Sequence, residues 1–359
     1  MHEMTAALSE AGCEVHLVTL GGRSDAPPPM GVELHPVKLL EPNYLARGLA
    51  FRDRVARLLV GLAPDVVHFR GIFEGEAAML YARRRGIPTV FEVNGLPSVE
   101  LVYHHRGVSQ AFEAKLRALE ARLLAAVSSV VTQSRTTLEF LRDRGLPEMT
   151  LASVIPNGAD PVPHAPQCTH GSLNVFYAGT LAPWQGVREL LMATRRVLRE
   201  RPMRLTIAGS APRRHQRQLE RALRKLKLSD AVDLAGPLDR AALSARIAAS
   251  DVCTAPLRRD RRNRTQGSSP IKLFEYMSAG RAILTTDLPC VREIVEPERT
   301  AITVHAPRPV LLAEQLLRLA GDADLRARLG TAARAYVLEH ATWASRRAAL
   351  RDHYRRAAL

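Results

Sequence analysis

Lys272 and Glu275 are the two residues of this sequence best spaced to act on one ligand. They lie three apart in Pro270-Ile-Lys-Leu-Phe-Glu-Tyr-Met-Ser-Ala-Gly280, so a helix carries both on one face. A lysine cation suits phosphate oxygens, and a carboxylate suits a pair of ribose or sugar hydroxyls. The same spacing also makes a surface ion pair. Pro270 suits the first turn of such a helix, and Ser268 or Ser269 can cap its free amides. Just upstream, Arg258, Arg259, Arg261, Arg262 and Arg264 form the densest charge in the chain. An extended loop of that kind can steer an anion, touch acidic lipid or remain solvated.

Two further stretches carry usable groups. Gly179-Thr180 closes an apolar run and is followed by Leu-Ala-Pro-Trp-Gln-Gly186, where a glycine can let backbone approach a ligand and a helix start offers amides to an anion. A turn glycine has the same signature, and Trp184 can line a cleft or pack a junction. Phe91-Glu-Val-Asn-Gly-Leu-Pro-Ser-Val-Glu100 places Glu92 and Asn94 on one side of a strand end. Asn94 suits an acceptor hydroxyl, and Glu100 is a candidate base. His104 and His105 are adjacent and diverge, and no spaced set of ligating residues predicts a metal.

The elements that position these residues follow from periodicity. The 359 residues are 46% hydrophobic and 24% charged, enough for two buried cores and too apolar for a disordered chain. Short apolar runs at 15–18, 32–37, 65–69, 89–93 and 129–132 alternate with helical patterns near 2–11, 45–62, 75–85, 107–126 and 135–145. The alternation breaks at Ile155-Pro-Asn-Gly-Ala-Asp160, with Pro161, Pro163 and Pro166, and then restarts. Strands follow at 175–178, 205–208, 232–234, 251–254, 282–285 and 302–304, with helices between them and a last helix near 343–356. This predicts two doubly wound α/β domains, 1–160 and 161–340, and a terminal helix over 341–359 that crosses back to the first. In such sheets ligands collect outside the carboxyl ends of strands, which places every candidate above at a cleft edge.

Charge and cysteine content narrow the function classes. Residues 1–160 hold 17 basic against 18 acidic side chains, whereas 161–359 hold 34 against 18. The basic half suits an anionic ligand, an anionic membrane face or arginine-rich composition alone. Nucleic acid is disfavoured, because aromatic residues are 5% and no zinc-finger, RNP or KH pattern occurs. Cys13, Cys168, Cys253 and Cys290 are far apart, which fits a reducing compartment and neither a zinc ribbon nor a disulfide framework. The N-terminus lacks a signal-peptide pattern and no run of eighteen uncharged apolar residues is present, so a cytoplasmic protein is expected, with peripheral contact to the inner membrane face left open.

Pro156-Asn-Gly-Ala-Asp160, Ala178-Gly-Thr-Leu-Ala-Pro-Trp-Gln-Gly186, Ile207-Ala-Gly209 and Pro270-Ile-Lys-Leu-Phe-Glu-Tyr-Met-Ser-Ala-Gly280 together resemble the family 4, or group 1, retaining glycosyltransferases of the GT-B fold. The resemblance covers nearly the whole chain. It implies a nucleotide-diphosphate sugar as donor substrate, an acceptor hydroxyl, no cofactor and no metal. It implies a donor site in the second domain, drawn from Gly179, Thr180, Gln185, Gly209, Arg258, Ser269, Lys272 and Glu275, and an acceptor site in the first, with Asn94 and Glu100. Lys272, Glu275 and Glu100 are the residues expected to carry the reaction. Cell-envelope polysaccharide or glycolipid synthesis is the implied setting.

Four positions depart from the family pattern, and one of them, Asn94 in place of a frequent His near the end of the 89–93 strand, resembles in its Glu-Val-Asn setting a recognised branch of the family. The Arg that commonly follows the glycine at the end of the first donor-domain strand is here Thr180, the Lys that commonly precedes the later glycine is Gln185, and a first carboxylate expected eight residues before Glu275 is Gly267. Lys272 and an arginine of 258–264 are the expected replacements. The first strand and glycine-rich acceptor loop of such proteins have no counterpart before the helix that starts at His2, which implies a late start, a truncation or an altered first domain. The alternative reading is a catalytically degenerate GT-B scaffold that binds a nucleotide sugar or a partner without turnover.

Overall fold

The computed structural model describes residues 2–21, 30–105, 107–162, 171–210 and 212–358. Pro163, Pro166 and Cys168 lie outside the described residues. The chain divides into two compact units, one made of Met1–Pro156 with Trp343–Leu359 and the other of Asn157–Thr342. Among the described residues no helix is long and apolar enough to cross a membrane.

The first unit runs α1 (His2–Ser9), β1 (Val15–Leu20), β2 (Val32–Val37), α2 (Tyr44–Leu62), β3 (Val67–Phe69), α3 (Ile72–Arg85), β4 (Thr89–Val93), α4 (Pro97–His104), α5 (Gln110–Ala126), β5 (Ser129–Thr132), α6 (Arg135–Arg142) and β6 (Leu151–Val154). Its strands are parallel but form two separate ladders, β1–β2 and β3–β4–β5–β6. Val90 and Val131 face a small cluster with Ala7 of α1, while Phe91 and Val130 face the main core, so period-two alternation buries both faces. Phe69 stacks on Phe91 with centroids 4.7 Å apart.

The second unit runs β7 (Leu173–Ala178), α7 (Val187–Val197), β8 (Met203–Ala208), α8 (Arg213–Leu226), β9 (Val232–Gly236), α9 (Arg240–Ala248), β10 (Val252–Ala255), α10 (Ile271–Ser278), β11 (Ala282–Thr286), α11 (Pro289–Arg292), β12 (Ile302–Val304), α12 (Pro309–Gly321) and α13 (Ala323–His340). All six strands are parallel, in the order β12-β11-β10-β7-β8-β9. The order reverses at β7, which makes the carboxyl ends of β7 and β10 the topological switch point. Val175 and Tyr177 face one core, Phe176 and Ala178 the other.

The last helix, α14 (Trp343–Ala358), belongs to the first unit. Leu350 packs with Ala7, Val90 and Val131. His353 is buried between two hydroxyls, Nδ1 at 2.8 Å from Ser153 Oγ and Nε2 at 3.2 Å from Ser129 Oγ. Burial, with His68 and Arg356 nearby, lowers its pKa to about 4, so the ring is neutral at pH 7.

The structure corrects three local expectations. Residues 97–104 form α4 where a loop is expected, because Pro97 occupies its first turn and Glu120 of α5 accepts from Ser98 N (2.8 Å) and Ser98 Oγ (2.5 Å), satisfying orphan amides from 22 residues away. Leu151–Val154 adds an edge strand that its short polar-interrupted sequence does not announce. The arginine segment is folded, with a π-helical turn at Arg262–Gln266, since Asn263 Nδ2 donates to the carbonyls of Trp184 (3.1 Å) and Arg258 (2.8 Å) and closes the loop on itself.

Candidate active site

Tyr177, the penultimate residue of β7, has its ring in the core and its hydroxyl at the strand's carboxyl edge, donating to the Thr180 carbonyl at 2.8 Å. The chain then passes through Gly179 at φ +139°, a conformation that L side chains rarely adopt. A Cβ at Gly179 would lie 2.6 Å from Lys272 Nζ, so the missing side chain is what lets the ammonium rest against this backbone. Gly209, at the matching end of β8 and φ +138°, is tighter still, because a Cβ there would meet the Gly179 carbonyl oxygen at 1.9 Å.

Lys272 is the second residue of α10, which starts after Pro270 without a side-chain cap. It is buried, donates to Gln185 Oε1 at 2.8 Å and sits 4.1 Å from the Tyr177 ring centroid, a cation–π contact. Burial lowers its pKa to about 7, and Glu275 only partly offsets that effect. Glu275, one turn on, is itself raised by burial, against the opposing charges of Lys272 and Arg240. Arg240 in turn pairs with Asp160.

Gly179, Thr180, Gln185, Gly209 and Lys272 therefore meet at the switch point. Ser269 is buried beside them in sequence but does not cap α10; its Oγ accepts from Asn157 N at 3.0 Å, and its carbonyl accepts from Asn157 Nδ2 at 2.6 Å. This corrects the capping expectation: the serine ties the α10 entrance to the Pro-Asn-Gly segment. Arg258 is half exposed and lies 3.6 Å from Glu189 of α7, and Arg259 donates to the carbonyls of Asp287 and His305. Arg262 covers the Trp184 ring at 5.2 Å. The arginines thus brace loops, and Lys272 is the cation held at the glycine backbone.

In the first unit, Asn94 follows the carboxyl end of β4. Its Nδ2 donates to Glu92 Oε1 at 2.9 Å, while its buried Oδ1 has no hydrogen-bond partner. Burial works to raise the Glu92 carboxyl, but His68 at 3.3 Å and Arg70 at 3.2 Å outweigh it and hold the group below the usual carboxylate range. His68 also meets the hydroxyl of Tyr354 on α14. Glu100, in the first turn of α4, lies against Gly95, where a Cβ would be 2.4 Å from its carboxylate. Sequence reasoning missed Tyr177, Asn157, His68 and Arg70. Tyr177 reads as a core residue in a strand, and the other three gain meaning only through partners far away in the chain.

Residues 1–162 match the model of Glycosyltransferase Family 4, and residues 172–322 match that of Glycosyl transferases group 1. D-inositol 3-phosphate glycosyltransferase from Xylanimonas cellulosilytica is 25% identical over 386 aligned residues, covering 99% of this chain and 90% of that protein. The fold is similar to sucrose-phosphate synthase from Thermosynechococcus elongatus, with a TM-score of 0.81 at 18% identity over 99% of this chain and 91% of the other. Anabaena Alr3699/HepE, solved with UDP and glucose, matches with a TM-score of 0.73 at 14% identity over 95% and 99%. The two parallel-sheet units, the switch-point site and these matches make the chain a GT-B glycosyltransferase related to the Glycosyltransferase Family 4 and Glycosyl transferases group 1 families.

Proposed function

We propose that the chain is a retaining glycosyltransferase that moves a sugar from a nucleoside diphosphate sugar to an acceptor hydroxyl. The observation that carries this reading is Lys272: a buried ammonium whose hydrogen-bond acceptor is the neutral amide oxygen of Gln185. A diphosphate arriving there gives Lys272 an anionic hydrogen-bond acceptor in place of the neutral amide, where Glu275 offsets its burial only in part, and the charge-assisted contact strengthens as the leaving group develops charge. Gly179, Gly209 and Thr180 present backbone to the same ligand, and Glu275 is assigned the sugar or ribose hydroxyls. Ser269 and Gln185 hold Lys272 and its helix in place, and Arg258 contributes positive potential. Asn94, with a free buried acceptor oxygen, and Glu100 are assigned to the acceptor.

Retention is read as front-face attack, with the departing diphosphate helping to take the acceptor proton, since no carboxylate is assigned beneath the sugar. UDP-glucose is the first donor to test because a solved relative was captured with UDP and glucose, and D-inositol 3-phosphate is the first acceptor because a sequence relative is named for it. Envelope polysaccharide and glycolipid precursors follow. The purified chain is incubated with donor and acceptor, and product is resolved by NMR at the anomeric centre. Product with the donor's configuration supports the reading, and inverted product rejects its mechanism. Thr180, Gln185 and Gly267 support a second reading, donor binding without turnover, which any glycosylated product eliminates.

A further inference from the structure

A group of ligating side chains lies outside everything used above. On the β1–β2 ladder the parallel register sets His16 opposite Glu33 and Val18 opposite His35, so His16, Glu33 and His35 share one face of the sheet. One ligand atom from each lies within 4.8 Å of the others. His16 Nδ1 is 3.1 Å from His35 Nε2 and 3.3 Å from Glu33 Oε2, and His35 Nε2 is 3.6 Å from Glu33 Oε1. Both histidines are about four-fifths buried, and Glu33 is mostly exposed.

Three electron-pair donors thus converge on one small space. With both imidazoles neutral, a single proton can bridge the two nitrogens, which leaves the third donor facing lone pairs. A cation resolves this. Tetrahedral zinc with Zn–N and Zn–O bonds of about 2.0–2.2 Å sets ligand atoms about 3.3–3.6 Å apart, comparable with the 3.1 Å between the two nitrogens and the 3.3 and 3.6 Å from them to the two oxygens of Glu33. A second observation points the same way. The outward nitrogen of His16, Nε2, lies 3.3 Å from Glu14 Oε1, the carboxylate–histidine arrangement that fixes the tautomer and leaves Nδ1 free to bind metal.

We propose that His16, Glu33 and His35 form a divalent transition-metal site, with Zn2+ as the fitting ion, Glu14 as the outer carboxylate and solvent in the fourth position. Two imidazoles and one carboxylate suit a borderline ion rather than Mg2+ or Ca2+. His16 and Glu33 are the second residues of their strands and His35 the fourth of six, on a ladder separate from β4, whose carboxyl end Asn94 and Glu100 follow. The site therefore clamps a ladder and takes no part in glycosyl transfer. A two-stranded ladder has few backbone bonds of its own, so a metal bridging both strands adds cross-strand stabilisation. The reading needed the strand register, because positions 16, 33 and 35 have no metal-motif spacing in sequence.

The test is calorimetric titration of ZnCl2 into the chelator-treated full chain, with folding checked by circular dichroism. The expected result is one saturable site, lost in the His16→Gln/His35→Gln double variant, weakened at least tenfold by Glu33→Gln and about tenfold by Glu14→Gln. Cys13→Ser, which removes the exposed thiol next to this segment, is expected to retain the site. Bound Co2+ should show tetrahedral ligand-field absorption, and Zn2+ should raise Tm in the parent chain only. Absence of saturable binding by folded protein, or binding undiminished in the folded double variant, overturns the proposal without bearing on donor binding.

Discussion

Burial of Lys272, which lowers its pKa to about 7, makes the proposed donor binding a proton-linked event. The free site is mostly neutral above pH 7, whereas a bound diphosphate favours the ammonium. Binding should therefore take up close to one proton at pH 8 and almost none at pH 6. Affinity should fall about tenfold per pH unit above 7 until the bound-state pKa is reached. Calorimetry in buffers of different ionisation enthalpy measures the uptake directly. The unliganded protein has the opposite trend: unfolding restores Lys272 to its ordinary pKa, so the unfolded chain holds the extra proton between pH 7 and 10.5 and this contribution to stability improves as pH rises through that window. Lys272→Met should flatten that slope in denaturant titrations. Asn94→Ala should leave donor affinity unchanged and raise KM for acceptor, as steady-state kinetics with each substrate varied can show. The sequence reveals Lys272 and Glu275 because their partnership is local, three residues apart on one helix. It names Gln185 without its contact to Lys272 and hides Tyr177 and Asn157; these contacts to the α10 segment span 87, 95 and 112 residues and exist only once the sheet has formed.

Two glycines decide whether the loop after β7, proposed to hold the donor, can form. Gly209→Ala adds a Cβ 1.9 Å from the Gly179 carbonyl and forces a left-handed backbone on an alanine. The strain falls on the turn after β8 and the clash on the turn after β7, so the substitution should cost about 2 kcal/mol or more and abolish diphosphate binding. Urea unfolding and nucleotide titration of the variant separate the two consequences. Gly186→Ala should behave alike, because its Cβ would meet the Pro256 carbonyl oxygen at 1.8 Å. Most strands and helices were legible because their apolar period is two or 3.6 over several residues. The exceptions share a cause. Helix α4 owes its first turn to Glu120 on another helix, and the arginine segment is closed by Asn263 reaching to Trp184 and Arg258. Neither contact has a signature in local periodicity, and a run of arginines reads as solvated loop until the side chains that brace it are placed.

Over the whole molecule, the acidic-neutral and basic halves of the sequence correspond largely to two units with separate sheets, and only α14 returns to the first. That helix inserts His353 between Ser129 and Ser153 and adds Leu350 to the α1 cluster, so it is part of the first unit's core. His353 gives that unit an acid limit. Its native pKa of about 4 lies below the ordinary value of 6.5, so its contribution is complete above pH 6.5 and lost as pH falls through 4, a change of about 3 kcal/mol. His353→Gln should reduce the pH dependence of Tm between 6.5 and 4. The split of the first unit into two ladders was harder to anticipate than its strand content, since pairing is a property of register and not of any strand alone.

On the proposed function, Lys272 receives the donor's diphosphate. Titration of UDP and UDP-glucose into the folded chain and into Lys272→Ala, each at pH 6 and pH 8, tests it most directly. UDP-glucose, whose diphosphate does not titrate in this range, should bind the parent chain saturably and more weakly at pH 8 than at pH 6, and both ligands should lose about tenfold to a hundredfold in affinity at pH 6 in the variant, with the pH dependence for UDP-glucose removed. Binding of equal strength in the parent chain and a folded Lys272→Ala protein would contradict it.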